Sequence, residues 1–178
     1  SNMTGANPTL EDLKIFLNEN FDFRYNVLTD MPECKPKNTN TYRMIDKRMM
    51  NSLSYKAMMQ GIDCKDADVK RFLFSDQIAT HHPFKDYIAT LPEWDGTDRV
   101  TMLAARVSGK AMWLNGFHRW MLGMVAQWLG YPARCANALA PILISAEQGM
   151  CKSTFCSILL PEELRGYYTD KFAITSTS

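Results

Sequence analysis

A lysine, a serine and a threonine stand side by side at residues 152–154, after the loop-like sequence AEQGMC and before an apolar stretch. A lysine ammonium that follows a glycine-containing turn can contact the β- and γ-phosphates of a nucleotide, while a neighbouring hydroxyl can bind Mg²⁺. A helix beginning at Ser153 would direct its partial positive charge to the same place. These residue types in this order indicate a site for a phosphate-bearing ligand.

The spacing fits the phosphate-loop pattern G-x-x-x-x-G-K-[ST], except that Ala146 and Cys151 stand where the pattern has glycine. Alanine is a small change, and Gly149 keeps backbone freedom within the loop. Cysteine is the larger change, because a side chain held at an unusual φ costs on the order of 1 kcal/mol or more. The alternative is an ordinary strand-to-helix turn whose lysine is solvated.

We predict a degenerate Walker A loop that binds a nucleoside triphosphate, with Ser153 as a ligand of the Mg²⁺ that accompanies the nucleotide. No other metal site is predicted, because the three histidines lack acidic or cysteine ligands at useful spacing. The predicted cofactor-binding residues are Ala146, Glu147, Gln148, Gly149, Met150, Cys151, Lys152, Ser153 and Thr154.

The sequence on either side of the loop predicts the elements that would position it. Residues 137–145 form an apolar run rich in branched side chains, which is typical of a buried parallel strand. Phe155, Ile158 and Leu159 recur at helical spacing, and Pro161 is a stop signal. We expect residues 137–178 to be the truncated start of a P-loop α/β domain, since a domain needs roughly 100 to 150 residues.

Residues 10–80 are predicted to form a small α+β unit after a flexible N-terminus, residues 1–9, that begins with a sequence typical of a cleaved tag. Thr9 and Asp12 satisfy a capping pattern for a first helix. Two strand-like runs, within residues 23–30 and 40–46, suit a β-hairpin with a long basic tip at Pro36–Asn40.

Two further helices are predicted in the same unit. The first carries apolar residues at helical spacing and ends at Gly61, a plausible left-handed C′ residue followed by Ile62. The second has an apolar face of Val69, Phe72 and Leu73. The unit could be winged-helix-like, or a helical hairpin packed on a β-ribbon.

Residues 81–136 read as a helical segment. Pro83 marks its start, a turn at Asp95-Gly96 divides it, and Thr97 or Asp98 can cap the next helix. The longest apolar run, AMWLNGFHRWMLGMVAQWLGY, is long enough to cross a bilayer but is interrupted by polar residues. We predict a buried amphipathic helix and no membrane partner, with an oligomerisation surface as the alternative use of its tryptophans.

Composition limits the possible classes. The formal net charge of +1 gives the whole chain no long-range attraction to nucleic acid or membrane. Five scattered cysteines, an odd number without a C-x-x-C pair, predict reduced thiols and a cytoplasmic location. The fold class expected from all segments together is α+β and mainly α-helical.

A local basic excess offers a second function. Between Arg24 and Arg71 there are ten Lys/Arg against six Asp/Glu. Such residues could contact nucleic-acid phosphates, with the hairpin as a wing, or could simply form a solvated surface. The candidate nucleic-acid contacts are Lys35, Lys37, Lys47, Arg48, Lys56, Lys70 and Arg71.

Two ordered motifs give a more specific indication. HPFKDYIATLPEWDGTDRVTMLA resembles the NP-x-x-x-Y-L-x-x-L-x-W-D-G-x-x-R passage of virulence-associated protein E (VirE/VapE-like) proteins, and PILISAEQGMCKST resembles their G-x-Q-G-x-G-K-S-T loop. The resemblance covers the chain from about Phe21 onward and is weakest in the hairpin region. The matching residues are Tyr87, Leu91, Trp94, Asp95, Gly96 and Arg99 in the first motif and Gln148, Gly149, Lys152, Ser153 and Thr154 in the second.

The resemblance implies a P-loop ATPase akin to the helicase part of primase-helicases, which acts on DNA during replication of a mobile element. It implies ATP and Mg²⁺ as cofactors, DNA as a partner, and a homo-oligomer in the full-length protein. The acidic strand, the sensors and any arginine finger of such an enzyme are expected beyond Ser178. We therefore expect no catalytic residue within these 178 residues and no ATP turnover by them alone.

Overall fold

The computed structural model describes residues 7–132 and 139–169. The chain divides into two compact units, residues 1–83 and residues 84–178. Helices predominate, and the first unit also contains a four-stranded mixed sheet. The predicted α+β, mainly helical class is therefore confirmed.

The first unit has its sheet in the order β3-β2-β1-β4. β1 pairs antiparallel with β2 and parallel with β4, while β2 pairs antiparallel with β3. The elements in chain order are α1 (Pro8–Asn20), β1 (Phe21–Asn26), β2 (Met31–Pro36), β3 (Arg43–Met44), α2 (Lys47–Met59), α3 (Asp66–Leu73) and β4 (Thr80–His81).

The predicted hairpin is wrong in its second strand. The partner of β1 is β2, with Phe21 opposite Pro36 and Asn26 opposite Met31, so the tight turn falls at residues 27–30. The Asn26 side-chain oxygen accepts from the backbone N–H groups of Leu28 and Thr29 and stabilises this turn. The stretch Pro36–Asn40 instead links β2 to the two-residue β3, and the hairpin is part of a larger sheet.

The first helix begins earlier than predicted. Asn7 is its N-cap, and the side-chain oxygen of Asn7 accepts from the N–H groups of Thr9 and Leu10. Pro8 occupies the first helical position, where the missing N–H costs nothing. Thr9 consequently lies inside the helix, and part of the segment predicted to be flexible is helical.

The helices of the first unit bury apolar residues that recur at helical spacing. Leu13 and Leu17 of α1 are buried, as are Leu53 and Ala57 of α2. All three residues predicted for the face of α3 are also buried. Together with Phe21, Cys34 and Ile45 from the sheet side they form one hydrophobic core.

The end of α2 follows the predicted glycine signal. Gly61 has φ +82°, and its N–H donates to Met58 while the N–H of Ile62 donates to Ala57. This pair of hydrogen bonds is a Schellman motif, which requires the left-handed conformation at Gly61. The motif turns the chain back so that α3 can pack on the same core.

The second unit is built from helices. Asp98 caps the helix that begins at Arg99 by accepting from the N–H of Thr101. The helix that begins at Lys152 ends at Ile158, before the predicted stop signal Pro161. No helix in the described part of the chain is both long and apolar enough to cross a membrane. The elements are α4 (Pro83–Ala89), α5 (Arg99–Ala105), α6 (Ala111–Trp128), α7 (Lys152–Ile158) and a 3₁₀ helix (Glu162–Tyr167).

The strand predicted at residues 137–145 is not formed in its described part, residues 139–145. Ile142 and Ile144 are 75% and 88% exposed, whereas Leu143 and Ser145 between and after them are half-buried. The alternation has the period of a strand. A strand also needs a neighbour to accept its ladder hydrogen bonds, and the described residues supply none.

We predict that Gly61→Ala destabilises the first unit by about 1 kcal/mol, because alanine resists the left-handed conformation although space is available for its Cβ. Amide hydrogen exchange at Leu53 and Ala57 should become about fivefold faster. The matched control is Gly116→Ala in the interior of α6, which should be neutral or stabilising. Equal effects of the two substitutions would contradict the prediction.

Candidate functional site

The loop between residues 145 and 152 keeps the backbone form that its missing glycine would provide. Cys151 has φ +54° and ψ +25°, the left-handed conformation, and directly precedes α7, which begins at Lys152. Gly149 also has a positive φ, +81°. The cysteine therefore adopts the strained geometry for which the pattern favours glycine, at a cost of about 1 kcal/mol.

Lys152 turns back across the loop instead of extending into solvent. Its Nζ donates to Ser145 Oγ at 2.5 Å, and Ser145 Oγ donates in turn to the carbonyl oxygen of Glu147 at 2.7 Å. Lys152 is half-buried, although the residues around it in the loop are exposed. The ammonium group is thereby held across the loop, against the residue that precedes it.

Aromatic contacts position α7 on the rest of the second unit. The Phe155 ring lies 6.2 Å from the ring of Phe117, a residue of α6 that is almost wholly buried. Trp113 of α6 donates its indole N–H to the carbonyl oxygen of Ala104 in α5 at 2.8 Å. The loop thus rests on the packed pair of α5 and α6.

A cleft of about 650 Å³ lies beside the loop. Three cationic side chains line it, Lys152 from α7 and Arg106 and Lys110 from the connection between α5 and α6, and among the described residues no carboxylate does. Arg106 and Lys110 could not be predicted as part of this site, because they are far from the loop along the chain and approach it only in the folded structure. Apolar side chains also line the cleft, among them Trp113 and Phe155.

Of the eight other predicted loop residues, two line this cleft and six do not. Met150 and Cys151 line it, while Ser153 and Thr154 are exposed at the start of α7. Ala146, Glu147, Gln148 and Gly149 form the exposed turn between Ser145 and Met150. An exposed Ser153 hydroxyl beside a cationic cleft fits a nucleotide-bound Mg²⁺, and the described residues contain no cluster of His, Cys, Asp or Glu that would hold a metal by itself.

The tryptophan-aspartate-glycine turn is held by its own side chains. Arg99 pairs with Asp95 through its two terminal guanidinium nitrogens, Nη1 and Nη2. The backbone N–H of Thr97 also donates to the Asp95 carboxylate. The indole N–H of Trp94 donates to the carbonyl oxygen of Thr97, and Gly96 has φ +83°. The Arg99 guanidinium, followed by the Thr97 N–H, holds the pKa of Asp95 well below its usual range. The motif residues thus form a structural clasp before α5.

The seven candidate nucleic-acid residues lie in the first unit and differ in their pairing. Lys35 and Lys37 share the carboxylate of Asp22, and Arg71 pairs with Asp68. The hydrogen bonds from Lys37 and then Lys35 lower the pKa of Asp22. The other four, Lys47, Arg48, Lys56 and Lys70, form no ion pair with any residue that the structure describes.

Comparison with known proteins adds no relative: no family model, no curated protein and no solved structure matches the chain.

We predict that Cys151→Gly raises the free energy of unfolding of the second unit by up to about 1 kcal/mol, because glycine removes the strain of the left-handed conformation. Cys151→Ala is the control, since it keeps a Cβ and should give no gain. Urea unfolding followed by tryptophan fluorescence reports on this unit, because all four tryptophans lie between residues 94 and 128. A larger gain from alanine than from glycine would be the contrary result.

We predict that Arg99→Ala raises the pKa of Asp95 toward its ordinary value near 4, because the largest stabiliser of the carboxylate is removed. The folded-state pKa is depressed, so the clasp contributes stability above pH ~4 and loses it as the pH falls further. Titration of the Asp95 carboxyl ¹³C signal by NMR measures the change. Asp98, whose carboxylate accepts from the N–H of Thr101, serves as the internal reference and should keep its lowered pKa.

Proposed function

We propose that the loop at residues 146–153 binds the phosphates of a nucleoside triphosphate, with Mg²⁺ at Ser153, in an ATPase that acts on DNA. The observation that carries the proposal is the left-handed Cys151 directly before Lys152, with the lysine ammonium held over the loop by Ser145. An ordinary solvated turn would require neither feature.

The charges of the cleft support the same proposal. A triphosphate carries several negative charges, and Arg106, Lys110 and Lys152 present three positive ones around a cleft to which the described part of the chain contributes no carboxylate. Such groups stabilise both the bound phosphates and the charge that develops in phosphoryl transfer. Trp113 and Phe155 also line the cleft and offer apolar surface suited to a nucleobase.

The wider role comes from the resemblance in the two motifs. On that basis the parent activity is ATP-dependent remodelling of DNA by a helicase-like or primase-associated protein of a mobile element, as a homo-oligomer in the cytoplasm. The four described cysteines, Cys34, Cys64, Cys151 and Cys156, carry free thiols, which fits a reducing compartment. Burial raises the pKa of the Cys34 thiol to about 11 and keeps it protonated.

Isothermal titration of Mg·ATP into the protein tests the nucleotide site. We expect binding that Lys152→Ala weakens by at least tenfold, because a charge-assisted hydrogen bond contributes roughly 1.5–3 kcal/mol. Arg106→Ala and Lys110→Ala should each cause a smaller loss. Lys70→Ala is the control, since it removes one exposed positive charge from the other unit and should leave the affinity unchanged.

Equal affinities of the wild type and Lys152→Ala would contradict the proposal. Absence of binding in a folded protein would favour the alternative, a nucleic-acid-binding or oligomerisation module with a non-functional loop. Circular dichroism of each variant establishes that the protein is folded.

A further inference from the structure

A basic groove runs along the outer face of α2 in the first unit. Two adjoining cavities, of about 620 and 690 Å³, share Arg48 and Ser52 and together extend from β3 to the last turn of the helix. Each has the volume of an ordinary small-molecule pocket, about 300–1,000 Å³. We name this surface the α2 groove. Its polar and aromatic lining includes Arg43, Asp46, Lys47, Arg48, Asn51, Ser52, Tyr55 and Lys56.

The charge of the α2 groove is strongly one-sided. Arg43, Lys47, Arg48 and Lys56 supply four positive charges against one carboxylate, Asp46. That carboxylate is engaged as the N-cap of α2, where it accepts from the N–H of Met49 at 2.7 Å. None of the four cations pairs with an acidic residue in the part of the chain that the structure describes. The Nζ atom of Lys56 lies 5.4 Å from the centroid of the Phe21 ring.

Helical spacing places an exposed aromatic ring in line with these charges. Arg48, Asn51, Ser52 and Tyr55 are separated by three, four and seven residues from the first, so they follow one face of α2. Arg48 and Tyr55 are about 10 Å apart along the helix axis. Tyr55 is 66% exposed, which leaves its ring available for stacking. Tyr42, in contrast, is covered by Arg24 at 4.0 Å and by Lys35.

We propose that the α2 groove binds single-stranded DNA, with its four cations on the phosphates and Tyr55 stacked on a base. Unpaired charges and an open aromatic ring are the two components of single-strand recognition, and a duplex would hide the base face that Tyr55 needs. Phosphate and base-plane contacts are common to DNA and RNA, so the choice of DNA rests on the proposed function. The inference deepens the proposed function by locating its DNA contact, but does not depend on the nucleotide cleft, which lies in the other unit.

Ion pairing distinguishes the α2 groove from three of the other candidate residues of this unit, Lys35, Lys37 and Arg71. Lys35 and Lys37 are held by Asp22, and Arg71 by Asp68, so binding would have to break these ion pairs. Arg43, Asn51 and Tyr55 enter the site although sequence analysis did not single them out. We therefore expect the contacts with nucleic acid to come from α2 and β3, and not from the hairpin and α3.

Fluorescence anisotropy with labelled dT20 tests the proposal on the whole chain. Up to four phosphate contacts predict that log K falls with log salt at a slope of about −3, since each contact on a single strand contributes roughly −0.7. Arg48→Ala should weaken binding and reduce the magnitude of the slope by about 0.7. Arg71→Ala is the matched control, because it removes the same charge and side chain at a paired position and should change neither quantity as much.

Tyr55 provides an independent readout. Tyr55→Ala should weaken dT20 binding by roughly 5- to 150-fold, because stacking contributes about 1–3 kcal/mol per base. Tyr55→Phe keeps the ring and should remain within about twofold of the wild type. The exposure of Tyr55 makes unfolding by either substitution unexpected, and circular dichroism of both variants checks this.

Several outcomes would overturn the proposal. These are equal losses in Arg48→Ala and Arg71→Ala, tighter binding of a 20-base-pair duplex than of dT20, tighter binding of rU20 than of dT20, and no binding of dT20 at low salt. Lys152→Ala should bind dT20 like the wild type, so failure of the nucleotide site and failure of the α2 groove give different results.

Discussion

The hydrogen bond from Lys152 to Ser145 is the interaction on which the candidate nucleotide site depends. It spans the loop and, through the Ser145 hydroxyl, fixes the Glu147 carbonyl as well. A loop closed in this way tolerates a left-handed cysteine, because the surrounding contacts hold the backbone in place. If a nucleotide phosphate replaced the Ser145 hydroxyl as the partner of Lys152, the ammonium group would form a stronger hydrogen bond, because both partners would be charged.

The two units divide the chemistry between them. The second unit places three cations around a cleft beside a closed loop, and the first unit places four unpaired cations on α2 and the neighbouring β3. The remaining basic residues of the first unit that form ion pairs serve the stability of the sheet and helices. A formal net charge near zero therefore conceals two local concentrations of positive charge.

Sequence analysis succeeded where a local rule determines the structure. The apolar spacing of Leu53 and Ala57, the left-handed Gly61 and the Asp98 cap all follow from interactions within a few residues. It failed where partners are distant. The hairpin pairing of β1 was missed because β2 carries two prolines, and residues 139–145 form no strand because pairing requires a neighbour.

The candidate sites show the same division. Lys152 and Cys151 could be identified from a short pattern, and their geometry agrees with it, but Arg106 and Lys110 reach the cleft only through the packing of α5 and α6. Equally, a count of basic residues could not distinguish Arg48, which is unpaired, from Arg71, which is neutralised by Asp68. Charge pairing is a property of the folded chain.

The central claim is that the backbone from Gly149 to Ser153 receives phosphate. The most direct measurement is the ¹⁵N–¹H spectrum of the protein titrated with Mg·ATP. The account predicts that the amide signals of Gly149, Cys151, Lys152 and Ser153 shift together along one saturating binding curve. Saturable shifts confined to other residues, with these four amides unmoved, would contradict it.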